Sequence, residues 1–330
     1  MESKTWLRAL GIVLGLYLLA ALAVGWYWSD EQPQFSVVDV TKQVSDKLQR
    51  PVVTGSTTTA TVMYIMDRLL NKRGGYLTND IAPPGIWLDN VPSWEYGALE
   101  QVRDLVRAMR DNIARSQSQS VEDKDLALAV PRFHISQTSW ALPSAESEYR
   151  AGNKKLRIYL QRLSDPNVPD AQFYARADNL SYWLEIVETR MGSLSQRLSA
   201  SVGQRRVNTD LAGDAEARQS SVGAEEVEVK TPWLQLDNVF YEARGSSWAL
   251  LHILKAVEVD FRDVLIKKNA LVSLRQIIRE LEATQEPVYS PFILNGDGFG
   301  LLANHSLVMA SYIARANASI IDLRDLLSRG

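Results

Sequence analysis

Residues 173–198 read FYARADNLSYWLEIVETRMGSLSQRL, and this stretch decides the fold. Phe173, Ala177, Leu180, Leu184, Val187, Met191, Leu194 and Leu198 recur at alternating steps of four and three. Those steps keep side chains on one face of an α-helix. So long a seam, beginning near Asp170, predicts a helix packed lengthwise on others at a shallow crossing angle.

The same pattern recurs on either side. Towards the C-terminus, Leu302, Ser306, Met309, Ile313, Ala316, Ile320, Leu323 and Leu327 form a second seam. Leu250, Leu254, Val257, Phe261 and Val264 form a third, which Lys268 interrupts and Leu271, Leu274, Ile278 and Leu281 resume. Upstream, Val62, Met66 and Leu69 mark a short helix stopped by Gly74-Gly75. Leu99, Val102, Val106, Met109 and Ile113 mark a longer one, with Ser93 as its N-cap, that runs to the polar 116–120 stretch. A helix over 121–130 is expected to stop at Pro131, and another, through Tyr149, Leu156, Tyr159, Leu160 and Leu163, to end before Asp165-Pro166. The fold class is therefore all-α, a bundle of long antiparallel helices.

The first residues add an anchor. Ala9 to Trp28 is an uncharged apolar run. About 20 residues at about 1.5 Å rise match the roughly 30 Å hydrocarbon thickness of a bilayer. Lys4 and Arg8 precede it, Asp30 and Glu31 follow it, and Trp26-Tyr27-Trp28 stands where an interfacial aromatic belt belongs. Basic residues before the span place the N-terminus in the cytoplasm and the body outside. A cleaved secretory signal is the rival reading, since Ala21-Leu22-Ala23 offers a cleavage site; the length of the run and the aromatic cluster favour a retained helix. Gly11 and Gly15 form a GxxxG that could pack helices closely in lipid, or that reflects only how common glycine is in membrane helices.

These boundaries divide the chain into a cytoplasmic tail (1–8), the transmembrane helix (9–28), a polar connector (29–56) with a short helix near 40–48, a first bundle part (57–202), a flexible linker (203–230) and a second bundle part (231–330). The linker carries Arg205-Arg206 and Glu225-Glu226 without an apolar period.

Composition narrows the function. The chain has 330 residues, a formal net charge of -3, no cysteine and histidines only at 134, 252 and 305. Thiol chemistry, disulfides and cysteine metal sites are excluded, and nothing asks for nucleic acid. No nucleotide loop, nucleophile elbow or HExxH is present, so no catalytic residue, metal site or cofactor is assigned. The carboxylate pairs Glu185/Glu188 and Asp260/Asp263 are assigned to solvent, and His252 to the core.

Two loops remain. The 85–96 stretch gathers Trp87, Trp94 and Glu95 in a proline-pinned loop that suits a sugar or peptide groove, or plugs the end of the bundle. In 295–300, Asp297 and Phe299 stand among three glycines ahead of His305, either as a plain Asp-Gly tight turn or at the start of a helix that could hold an anion. Ligand or partner binding is expected at Trp87, Trp94, Glu95, Asp297, Phe299 and His305.

The anchor, the Pro83-to-Gly97 stretch, Arg176-Ala177-Asp178-Asn179-Leu180 and the 295–300 loop resemble a family of uncharacterised bacterial envelope proteins, domain of unknown function 2333, over nearly the whole chain. The resemblance implies a Gram-negative inner-membrane protein and implies no activity. The leading expectation is a periplasm-facing interaction or assembly module, partnered by the bilayer through residues 9–28 and by an envelope protein, with a homo-oligomer left open. A small-molecule or glycan sensor is the alternative. An enzyme that cleaves envelope polymers with Glu95 as acid ranks behind both.

Overall fold

The computed structural model describes residues 2–115, 121–167, 170–207, 226–290, 292–297 and 300–329. It is helical nearly throughout, and one hydrophobic core runs through it. In chain order the helices are α1 (Glu2–Trp28), α2 (Val37–Leu48), α3 (Ser56–Asn71), α4 (Asn90–Ala108), α5 (Lys124–Phe133), α6 (Ala145–Leu163), α7 (Ala177–Ser199), α8 (Leu236–Asp260), α9 (Arg262–Lys267), α10 (Leu271–Ala283) and α11 (His305–Ser328). α1 is long and apolar enough to cross a membrane over Trp6–Trp28, and its side chains are almost wholly exposed.

The seams are core. Leu184, Val187, Met191, Ile313, Ala316 and Ile320 are all buried where α7 and α11 pack. These two helices run antiparallel: Ser195 Oγ donates to the Ala310 carbonyl (3.3 Å) near one end, and Arg324 pairs with Glu185 and Glu188 near the other. The central contact, α4 on α8, departs from the antiparallel rule. Gly97 lies beside Glu242 and Gln101 bonds Ser246 (2.8 Å), an offset that both pairs share, so these helices run parallel. Glycine makes the approach possible: a Cβ on Gly97 would strike the Glu242 carbonyl, and one on Gly245 the Trp94 carbonyl.

Several boundaries differ from the sequence reading. α4 begins at Asn90, ahead of Ser93, because Pro92 falls in the first turn, where a missing N–H costs nothing. α5 runs through Pro131 to Phe133; the proline sits in the last turn and removes a single bond. α7 starts at Ala177, not near Asp170, and Phe173 reaches the core from an extended segment. The third seam is α8 and α10, two antiparallel helices: the chain turns through α9 and Asn269, which takes a left-handed φ of 56°. Leu302 lies in the loop before α11 and is exposed.

Asp260, assigned to solvent, accepts the Thr58 N–H (2.6 Å) and so caps the start of α3. Glu185 and Glu188 likewise have a partner in Arg324. Most of the linker, 208–225, lies outside the described residues; its two flanks, Gln204–Val207 (β1) and Glu226–Val229 (β2), pair as antiparallel strands. The two bundle parts on either side of it share one core.

Helix directions sort the loops. The loops α3–α4, α5–α6, α7–α8 and α10–α11 lie at the end of the body that meets α1. The α2–α3, α4–α5, α6–α7 and α8–α10 connections lie at the other.

Candidate functional site

The site is built where α1 enters the body. Ala21, Gly25 and Trp28 share one face of α1, and the first two are buried. Gly25 lies against Pro84 and Leu88 of the α3–α4 loop, 3.5 and 3.7 Å from where its Cβ would be. The Trp28 indole lies over Gly74, where a Cβ would come within 2.7 Å of the ring. The Arg73 guanidinium stacks on Tyr27 (4.7 Å) and pairs with Asp30 (2.6 Å).

The connector that follows is not a free tether. Glu31 pairs with Arg244 (2.6 Å), whose side chain is nearly buried. The Pro33 carbonyl accepts from Trp248 Nε1 (3.4 Å), and the Phe35 N–H donates to His252 Nε2 (3.0 Å). The Phe35 ring stacks on the His252 imidazole at 3.9 Å and 4°. Residues 30–35 are thus fastened step by step along α3 and α8. The sequence shows only a polar stretch here, because each fastening partner lies about 40 or more than 200 positions away.

The histidine is fully buried. Its Nδ1 donates to the Trp248 carbonyl (2.7 Å), which leaves Nε2 as the acceptor for Phe35. Burial holds its pKa down at about 4.

Beneath the junction lies a buried ion pair. Lys72 Nζ stands 2.5 Å from Glu95 Oε1, and both side chains are shut off from solvent. The Glu95 carboxylate also accepts the N–H groups of Leu77 (2.9 Å) and Thr78 (2.9 Å) and the Thr78 hydroxyl (2.5 Å). Desolvation pushes its pKa up, while Lys72 and these donors pull it back. With every strong acceptor position engaged, Glu95 organises the turn after α3 and presents no face to a substrate. Lys72 also donates to the Gly75 carbonyl.

Trp87 and Trp94 are brought together, with unlike exposures. Trp87 is half exposed on the turn Gly85–Trp87; Trp94 is buried against Trp248, 5.1 Å between ring centroids. Both border a cavity of about 250 Å³ between the connector and the start of α4, lined also by Asp30, Asp89, Asn90 and Tyr241. Asp297 is exposed in the α10–α11 loop. Phe299 lies outside the described residues. His305 opens α11, and its Nδ1 accepts the Leu294 N–H (3.1 Å). It lines a separate, largely apolar groove of about 410 Å³ with Tyr289, Val308 and Tyr312. Gly11 and Gly15 meet nothing within a single chain: a Cβ at either would have no neighbour within 4 Å. Among the described residues, no three of His, Asp and Glu gather as a metal-binding group.

Sequence reasoning missed Lys72, Tyr241 and the connector contacts, and it missed Trp140, Leu142, Trp233 and Leu234, exposed in loops at this same end. Their signal was present: large apolar side chains beside prolines in otherwise polar segments. No curated protein and no solved structure matches the chain. The family model DUF2333, described as an uncharacterized protein conserved in bacteria, matches residues 1–330, and the chain belongs to that family.

Proposed function

We propose that this protein is a single-pass, membrane-anchored interaction or assembly module of the bacterial cell envelope, with its N-terminus in the cytoplasm and its helical body in the periplasm. One observation carries the reading. The exposed apolar helix α1 passes into the body through a connector pinned at Asp30, Glu31, Pro33 and Phe35. A fastening of that kind holds a bundle at a set height and attitude over a bilayer, which suits a scaffold. Lys4 and Arg8 before the span and Asp30 and Glu31 after it support the orientation. A retained helical anchor supports an inner-membrane location, and the burial of Ala21 and Gly25 on the face they share with Trp28 supports retention.

The test is in-cell photocrosslinking of the full chain from Val308 and Tyr312, on the rim of the His305 groove. A recurrent protein adduct is expected. Adducts to glycan or metabolite alone would overturn the reading.

A second reading has its own observation. The cavity bordered by Trp87, Trp94, Asp89 and Asn90 offers an indole face beside polar acceptors, the furnishing of a small-molecule or glycan site. Adducts from Trp87 to such a compound, lost on Asp89→Ala, would favour it.

A further inference from the structure

The exposed tryptophans of the body are not scattered. Among the described residues they are Trp87, Trp140 and Trp233, each on a different loop and all at the end that meets α1. Trp140 is 61% exposed with Leu142 at 100% beside it, and Trp233 is 82% exposed beside Leu234. The opposite end carries exposed valines and an isoleucine but, among the described residues, no exposed tryptophan.

The loops are tied together. Asn79 of the α3–α4 loop donates to the Ser139 carbonyl (2.9 Å), next to Trp140. Trp233, Leu234 and the exposed Phe292 share one cavity with Asp89 and Asn90, which follow Trp87 in the chain. Trp87, Trp140, Leu142, Trp233, Leu234 and Phe292 therefore stand as a rim on loops tied to one another at one end of the body.

Its height relative to α1 is fixed. Gly25, which touches Pro84 and Leu88, lies three residues, or roughly 5 Å, inside the C-terminal end of the apolar run. Ala21, one turn deeper, is buried on the same face. The α3–α4 loop thus lies alongside the last turns of the apolar helix rather than above them.

We propose that this rim is a second membrane-contact surface: the loops at the end that meets α1 dip into the interfacial layer of the bilayer that holds that helix. The inference rests on the anchor reading above. Tryptophan favours that depth, where its ring is buried and its N–H stays wet. Charge beside the rim is not a basic cluster: Arg73 is paired with Asp30, Lys230 precedes Trp233, and Asp89 is exposed two residues after Trp87, so burial of apolar and indole surface drives the contact, not attraction to anionic headgroups. Exposed indole and apolar side chains gathered at one end mark a contact surface, and its place beside the last turns of α1 makes lipid the occupant.

The chain has no cysteine, so single cysteines can be placed without background. Full-length protein carrying a nitroxide at position 140, 233 or 292 is reconstituted in phosphatidylcholine vesicles. Leu16→Cys in α1 and Val272→Cys at the far end serve as references. Collision with oxygen, which concentrates in lipid, is compared with collision with a water-soluble nickel chelate. The expected oxygen-to-nickel ratio at all three rim positions is several-fold above that at 272, unchanged when anionic lipid is added. Rim labels as nickel-accessible as position 272, with position 16 in lipid, overturn this inference and leave the anchor intact. Position 16 in water overturns both. Rim labels shielded from both reagents and broadened by a neighbouring nitroxide assign the surface to a second copy, which also overturns the inference.

Discussion

Acid should loosen the grip of the body on its connector, and His252 sets the window. Its imidazole accepts the Phe35 N–H at Nε2 and donates from Nδ1 to Trp248, so it is held neutral. A proton on Nε2 would set two N–H groups against each other in a buried site. The folded pKa lies at about 4, against 6.5 for the unfolded chain. Above pH 6.5 the ring is neutral in both states and stability does not depend on it. As pH falls from 6.5 to about 4, the unfolded chain takes up a proton that the folded chain refuses, so stability declines through that window; below it the loss is complete. The full loss is about 3 kcal/mol, with about 1.4 kcal/mol reached by pH 5.5 and about 2.5 by pH 4.5. Carboxylates titrate in the same range, so the measurement is a difference. Urea unfolding of the full chain in mild detergent, followed by tryptophan fluorescence, is compared with His252→Gln at pH 7, 5.5 and 4.5. Gln keeps an acceptor for Phe35 and cannot titrate. It should start less stable and then lose about 2 kcal/mol less than the parent between pH 7 and 4.5. Parallel curves, or a His252 Cε1–H resonance titrating near 6.5, would refute the reasoning.

Leu184→Ala should cost roughly 2–5 kcal/mol at every protein concentration, since Leu184 is fully buried within one chain; a concentration-dependent loss would make the seam a dimer interface. Lys72→Met strands the Glu95 carboxylate in the core and should cost about 3–5 kcal/mol by urea unfolding, and a loss under about 1 kcal/mol would show that water reaches the pair. Gly97→Ala should destabilise by more than an ordinary surface change, because its Cβ meets the Glu242 backbone; thermal unfolding checks it. A reporter active only outside the cytoplasm, fused after Gly330, should be active, and the mature chain should keep residues 1–28. A chain found to start at Val24 would end the anchor reading.

The helical fold was legible because burial imposes a period and the period survives in the sequence. Leu180, Leu184, Val187, Met191, Leu194 and Leu198 were read as one face and form one face. What failed was local. A 4-3 rhythm cannot tell a straight helix from two helices whose turn preserves the phase, and Asn269 makes such a turn between α8 and α10. Nor can it tell an extended segment that points Phe173 inward from one more helical turn. Relative direction is also invisible to it: α4 and α8 run parallel, packed backbone to backbone at paired glycines, and neither glycine belongs to a seam.

The site was less legible for a related reason. Trp87 and Trp94 stand seven residues apart in a loop that reads as a single binding motif, and the fold gives them opposite roles. The turn at Gly85–Trp87 leaves Trp87 outside, while the first turns of α4 drive Trp94 into Trp248 and Glu95 onto Lys72. Composition finds such a loop and cannot divide its residues, because the division depends on where a helix begins. The connector shows the converse. Asp30 to Phe35 has no period and looks idle, yet it makes successive contacts with α3, the residues after it, and α8. The contacts fasten it to two neighbouring helices at once. Freeing residues 30–35 from the body would break two ion pairs, two hydrogen bonds and a ring stack. Under the proposed anchoring of α1, the attitude of the bundle over the bilayer is set by this packing rather than by tether length.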